Sequence, residues 1–169
     1  MRQLVGMALV AVTLAACAHE VVHQPATERS SAGQVSYTLP PGGDVGLVVV
    51  GYEHIPGRPY AQTGYPALHL QMTLSNGGTQ TWTVHPRDQL AFIENRGPNL
   101  PAVVSDAPLV VAPGETRVID LYYPVASAPF AQSPPRQMSL QWRVRLPSGV
   151  VGGRAHLDRE LASVIPPRA

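Results

Sequence analysis

The chain has 169 residues, 12 basic side chains against 11 acidic ones, a formal charge of +1 and only 14% charged residues. So even a balance gives no field to steer it to nucleic acid, and a single cysteine excludes an intrachain disulfide framework. Eighteen prolines and fifteen glycines break long helices and favour many short strands joined by turns.

In chain order, Met1 to Thr13 carries one positive charge, Arg2, followed by an apolar run from Leu4 to Ala16. That run is about 13 residues, well short of the roughly 20 that a spanning helix needs. It reads as a secretory signal. Its end, Leu14-Ala15-Ala16-Cys17, resembles the lipobox of bacterial lipoproteins. The resemblance implies that the Cys17 thiol is acylated, that residues 1–16 are removed, and that lipidated Cys17 becomes the N-terminus and membrane anchor. The alternative is an ordinary cleaved signal in which Cys17 is incidental. Ala18 is not the aspartate associated with inner-membrane retention, so the same resemblance favours the outer membrane of a Gram-negative envelope. Losing residues 1–16 removes Arg2 and no acid, which leaves the mature chain formally neutral. At about 150 residues it is the size of one domain.

Residues 17–34 have no sustained period of 2 or 3.6 and are mostly small or polar, which predicts a flexible tether with a reach of roughly 20 to 25 Å. His19 and His23 within it read as solvated side chains. A β-rich domain is expected over 35–165. Val35 to Leu39 is strand-like, Pro40 to Asp44 is a turn, and Val45 to Tyr52 is an apolar, valine-rich run. Together they read as one strand broken by a kink. His54 to Pro66 must be a loop, with three prolines, two glycines and no period. Its length makes it a candidate binding loop, with Arg58, Tyr60 and Tyr65 as contact residues. The alternative is that the two tyrosines fold back over the end of the domain.

Leu68, Leu70, Met72 and Leu74 alternate with His69, Gln71, Thr73 and Ser75, the signature of a half-buried strand. Asn76-Gly77-Gly78 then turns the chain. Thr81 to His85 and Leu90 to Glu94 are short strands, Asn95 to Pro101 is a second long turn, and Leu109 to Val111 is another apolar piece. Ala112 to Glu115 is a tight turn. The strand after it has apolar residues on both faces, so pattern leaves its register open. Met138, Leu140, Trp142, Val144 and Leu146 alternate with Ser139, Gln141, Arg143 and Arg145, the surest strand of the chain. Pro147-Ser148-Gly149 is a hairpin turn, and Val150 to Leu161 returns antiparallel, with Gly152-Gly153 suggesting a bulge or weak pairing near its start. Seven to nine strands without a long helix predict an all-β, antiparallel sandwich.

The alternating strand, Asn76-Gly77-Gly78, Trp82 and then Pro113-Gly114-Glu115-Thr116 resemble the immunoglobulin-like domains of bacterial lipoproteins and exported proteins. The likeness covers roughly Leu68 to Leu157. It implies an immunoglobulin-like fold with Trp82 and Trp142 in the core, no cofactor and no shared catalytic residues. No cysteine pair bridges the sheets as in antibody domains. Gly-x-Ser-x-Gly does not occur. His69, His85 and His156 are weighed as metal ligands and read instead as surface histidines, since His69 and Met72 point to opposite faces of one strand. Asp88, Glu94 and Asp106 lack the spacing of a calcium loop. Arg143 and Arg145, with Gln141, are expected to find cross-strand partners such as Asp158 or Glu160, or to meet an anionic glycan or lipid. The expected function is non-enzymatic: an envelope lipoprotein that presents its domain to a protein partner. A periplasmic metal or small-ligand carrier is the alternative.

Overall fold

The computed structural model describes residues 22–23, 27–31, 34–40, 42–53, 55–56, 67–94, 96–102, 107–124, 137–158 and 163–164. Among these the protein is all-β: thirteen strands in two sheets, with a single 3-10 turn at Pro86–Asp88 as the helical element. The strands are β1 (Val22–His23), β2 (Thr27–Ser31), β3 (Gln34–Thr38), β4 (Asp44–Glu53), β5 (Ala67–Ser75), β6 (Trp82–Val84), β7 (Leu90–Ile93), β8 (Arg96–Asn99), β9 (Leu109–Val111), β10 (Thr116–Pro124), β11 (Gln137–Leu146), β12 (Gly149–Asp158) and β13 (Ser163–Val164). A six-stranded sheet runs β10-β5-β4-β3-β2, with β13 beside β4. A seven-stranded sheet runs β1-β12-β11-β6-β9, with β7 beside β11 and β8 beside β7. Pairing is antiparallel except at β1–β12 and β4–β13.

The core is what alternation dictates. On β5, Leu68, Leu70, Met72 and Leu74 are sealed from solvent; on β11, Met138, Leu140, Trp142 and Val144 are. Between the sheets Trp142 meets Tyr37 with ring centroids 4.9 Å apart. Trp82 and Trp142 are both fully buried, as the resemblance implies. The register left open for β10 is settled by its pairing with β5. Ile119, Leu121 and Tyr123 oppose Met72, Leu70 and Leu68, so they face in, and Val118, Asp120 and Tyr122 face out.

Four expectations are corrected. Val35 to Tyr52 is a hairpin and not a kinked strand: β3 folds back on β4, Val35 opposite Leu47, through a turn closed by Leu39 N–H to Gly43 O at 2.8 Å. The stretch read as a tether contains β1 and β2, and β2 covers the open edge of β3 from Thr27 opposite Thr38 to Ser31 opposite Gln34. Its polar sequence hides this because an edge strand is held by backbone bonds and needs no apolar period. The turn expected at 95–101 holds β8, paired with β7. Finally, β11 and β12 pair without a register shift through Gly152 and Gly153. Those glycines answer to Trp142: a Cβ on Gly152 would lie 2.5 Å from its carbonyl oxygen, and one on Gly153 would sit 3.4 Å from its indole nitrogen.

A buried amide, Asn76, secures the connections. Asn76 donates to Gln80 O at 2.8 Å and Val111 O at 3.0 Å, and its Oδ1 accepts from Gly78 N–H. It thereby ties the turn after β5 to the turn before β10. That second turn is closed by Glu115 N–H to Ala112 O. The Ala112 N–H on its carboxylate, helped by Arg117, holds the Glu115 carboxyl below the usual value.

Candidate functional site

The densest polar cluster among the described residues lies on the outer face of the six-stranded sheet. A bulge places it there. Val49 opposes Leu70 and Gly51 opposes His69, so Val50 is an extra residue on β4, and the strand beyond it is re-aimed. Gly51 and Glu53 therefore fall on the outer face, while Tyr52 opposes Leu68 and points into the core. On the other side of β5, Tyr122 opposes His69 and Asp120 opposes Gln71.

His69 is the centre. Its Nδ1 meets Glu53 Oε1, and its Nε2 lies 2.8 Å from Asp120 Oδ1. Gln71 Nε2 donates to the same Asp120 oxygen at 3.3 Å. The Tyr122 ring stacks on the imidazole, centroids 4.4 Å apart and planes 14° from parallel. Tyr122 also packs with Ile55, Ala67 and Ala102 in a small apolar cluster outside the main core, and its carbonyl accepts from Ala102 N–H at 2.6 Å. Burial first, then the Glu53 and Asp120 charges, push the Tyr122 phenol up and keep it neutral. His69 is thus not a surface histidine: only 7% of it is exposed.

A carboxylate oxygen lies beside each ring nitrogen, Glu53 at Nδ1 and Asp120 at Nε2. The cluster links β4, β5 and β10 through side chains on the outer face. His69→Ala removes the stacked ring and leaves two facing carboxylates without their shared partner. Asp120 is about half exposed and Glu53 about a third, so solvent screens much of the repulsion. Stacking is worth about 1 kcal/mol, and the buried charge contact brings the expected loss to about 2 kcal/mol. Urea unfolding should read this as a lower midpoint at unchanged slope, and Asp120→Asn should cost less than half as much.

The three histidines weighed as ligands do not converge. His69 is on the outer face of the six-stranded sheet, His156 opposes Ser139 on the outer face of the other sheet, and His85 precedes the Pro86–Asp88 turn. Among the described residues no group of three or more His, Cys, Asp and Glu side chains is placed to hold a metal ion. Arg145 meets a carboxylate before β7: its Nε and Nη2 donate to Asp88 at 3.1 and 2.9 Å. Cys17, Arg58, Tyr60, Tyr65, Asp106 and Glu160 lie outside the described residues. Glu53 and Asp120 carry no sequence signal of a site; only the Val50 bulge and the β10 register bring them to His69.

No protein-family model matches the chain, and no curated protein matches it. Among solved structures it is similar to the crystal structure of the YjhA protein from Bacillus subtilis, at 12% identity and a TM-score of 0.38, over 72% of this chain and 80% of that one.

Proposed function

We propose that this chain is a cell-envelope lipoprotein, anchored in the outer membrane through acylated Cys17, which presents an immunoglobulin-like sandwich to a protein partner. The observation that carries the reading is Leu14-Ala15-Ala16-Cys17 closing a short apolar run behind one positive charge. A stiff two-sheet body with polar outer faces suits a module that displays surface rather than one that turns over substrate.

The test is intact mass of the membrane-extracted protein, wild type beside Cys17→Ser. The expected result is a wild-type chain lacking residues 1–16 and carrying acyl mass, with no acyl mass on the variant. An unmodified Cys17 overturns the anchor. For the partner, extraction in mild detergent should recover a stoichiometric second protein, whereas a solitary monomer in every extract overturns the contact role.

A further inference from the structure

The outer face of the seven-stranded sheet is cationic, and nothing in the proposed contact role uses it. On β11 and β12 it carries Arg143, Arg145, Arg154 and His156; Ser139 opposes both His156 and Phe92, and Gln141 opposes Arg154. Of the described acids on it or at its margins, Asp88 is bonded to Arg145, Glu94 sits at the turn after β7, and Asp158 ends β12 opposite Gln137, four residues beyond Arg154. Arg143 and Arg154 have no carboxylate among their described partners. Arg154 is held in place: Nε donates to Ser139 Oγ at 2.8 Å, and its Cζ lies 4.2 Å from the centre of the Phe92 ring. Arg143 leans the other way, its Cγ lying across Gly152, and its buried Nε has no hydrogen-bond partner among the described residues. Arg154 carries its guanidinium toward β7 while Arg143 bends at Cγ toward β12, so the two side chains are spread across the width of the face. A plane of anions meets both.

Chain connectivity supplies that plane. Strand β1 is the edge of this sheet, with Val22 opposite Val150 on β12. Cys17 is five residues before Val22, a span of about 17 Å at full extension. Neighbouring strands are about 5 Å apart and residues about 3.3 Å apart along a strand, so Arg154, three residues beyond the last β1 partner, and Arg143, two strands over, each stand about 10 Å from β1. The exposed Val110, opposite Thr83, lies on the same face at its far edge. We propose that this face binds the phosphates of anionic phospholipid headgroups, so that the sandwich lies against the membrane through Arg143 and Arg154. The inference rests on the reading of Cys17 as the anchor, which is what brings the bilayer within reach.

The test is arginine footprinting with phenylglyoxal on the membrane-extracted full chain reconstituted in vesicles. One set is phosphatidylcholine alone, the other contains phosphatidylglycerol. Arg117, paired with Glu115 on the other sheet, is the internal control. The expected result is a rate about fivefold lower at Arg143 and Arg154 on the anionic vesicles only, with Arg117 unchanged and the protection lost at about 1 M salt. Equal rates on both vesicles overturn the inference. Equal protection by inorganic phosphate without vesicles also overturns it, in favour of a free-anion site. Intact mass of the same sample reports acylation separately: an acylated chain with unprotected arginines sinks this inference alone, and an unacylated chain sinks the anchor.

Discussion

Gln89→Leu should destabilise the domain by about 4 kcal/mol, lowering Tm by roughly 10 °C. The reason is a gap in the seven-stranded sheet. On one side of β11, β7 pairs as far as Gln141 and β6 pairs at Arg145, which leaves the peptide groups of Arg143 between them without a strand partner. The Gln89 side chain takes the place of the missing peptide. Its Oε1 accepts from Arg143 N–H at 2.9 Å, while its Nε2 donates to Arg143 O at 3.0 Å and to His85 O at 2.9 Å. Its own carbonyl accepts from Tyr123 Oη at 3.0 Å. That phenol, raised far above its usual value by burial, stays a neutral donor at any ordinary pH. Leucine has the right volume but leaves the Arg143 N–H and C=O unpaired in a site with no exposure, while His85 O keeps the Asp88 N–H, and each unsatisfied group costs about 1 to 3 kcal/mol. Gln89→Glu separates hydrogen bonding from packing. A carboxylate still accepts from Arg143 but faces two carbonyl oxygens, so burial raises its folded value above the unfolded one. Its stability is therefore greatest below about pH 4 and falls as pH rises. A pH-independent loss in Gln89→Glu, measured by urea unfolding, would refute the peptide-mimic role.

The two longest alternating runs, at 68–75 and 138–146, could be read directly because each strand buries one face. The sandwich follows from them, as does the core position of Trp142. What could not be read is whatever depends on a partner strand. Pro40 to Asp44 permits either a kink or a hairpin, and only the valines of β4 pairing back on β3 decide it. Gly152 and Gly153 look like a weak start to a strand until Trp142 is found beside them. The His69 cluster was least legible, since its two carboxylates are 67 residues apart in sequence, Glu53 to Asp120, and meet only after the Val50 bulge shifts parity on β4. Polar edge strands leave no period at all. That is why the sequence of residues 17–34 hides β1 and β2.

Gly43→Ala is expected to have a comparable effect through sterics alone. The residue sits at φ +125°, where an alanine is strained by about 1 to 2 kcal/mol. Space is the larger problem. A Cβ there would run into Ser75 O, lie 2.5 Å from Trp82 Cη2 and come within 2.9 Å of Gly77 N. Two of those atoms are backbone, at the turn that Asn76 clamps, and the third belongs to a fully buried indole. None is the free end of a flexible side chain, so relief requires the β3–β4 turn to lift off the turn after β5. Overpacking of this kind costs about 1 to 3 kcal/mol, which with the backbone strain gives about 4 kcal/mol. Gly114→Ala is the control. It also has positive φ, at +77°, but nothing lies within 4 Å of its Cβ, so it should lose only the 1 to 2 kcal/mol of strain. Thermal unfolding of the pair separates the two contributions, and near-equal losses would show that crowding against Trp82 and Ser75 contributes nothing. Trp82 fluorescence offers a second readout: if the turn lifts, its emission shifts to the red in Gly43→Ala and stays put in Gly114→Ala.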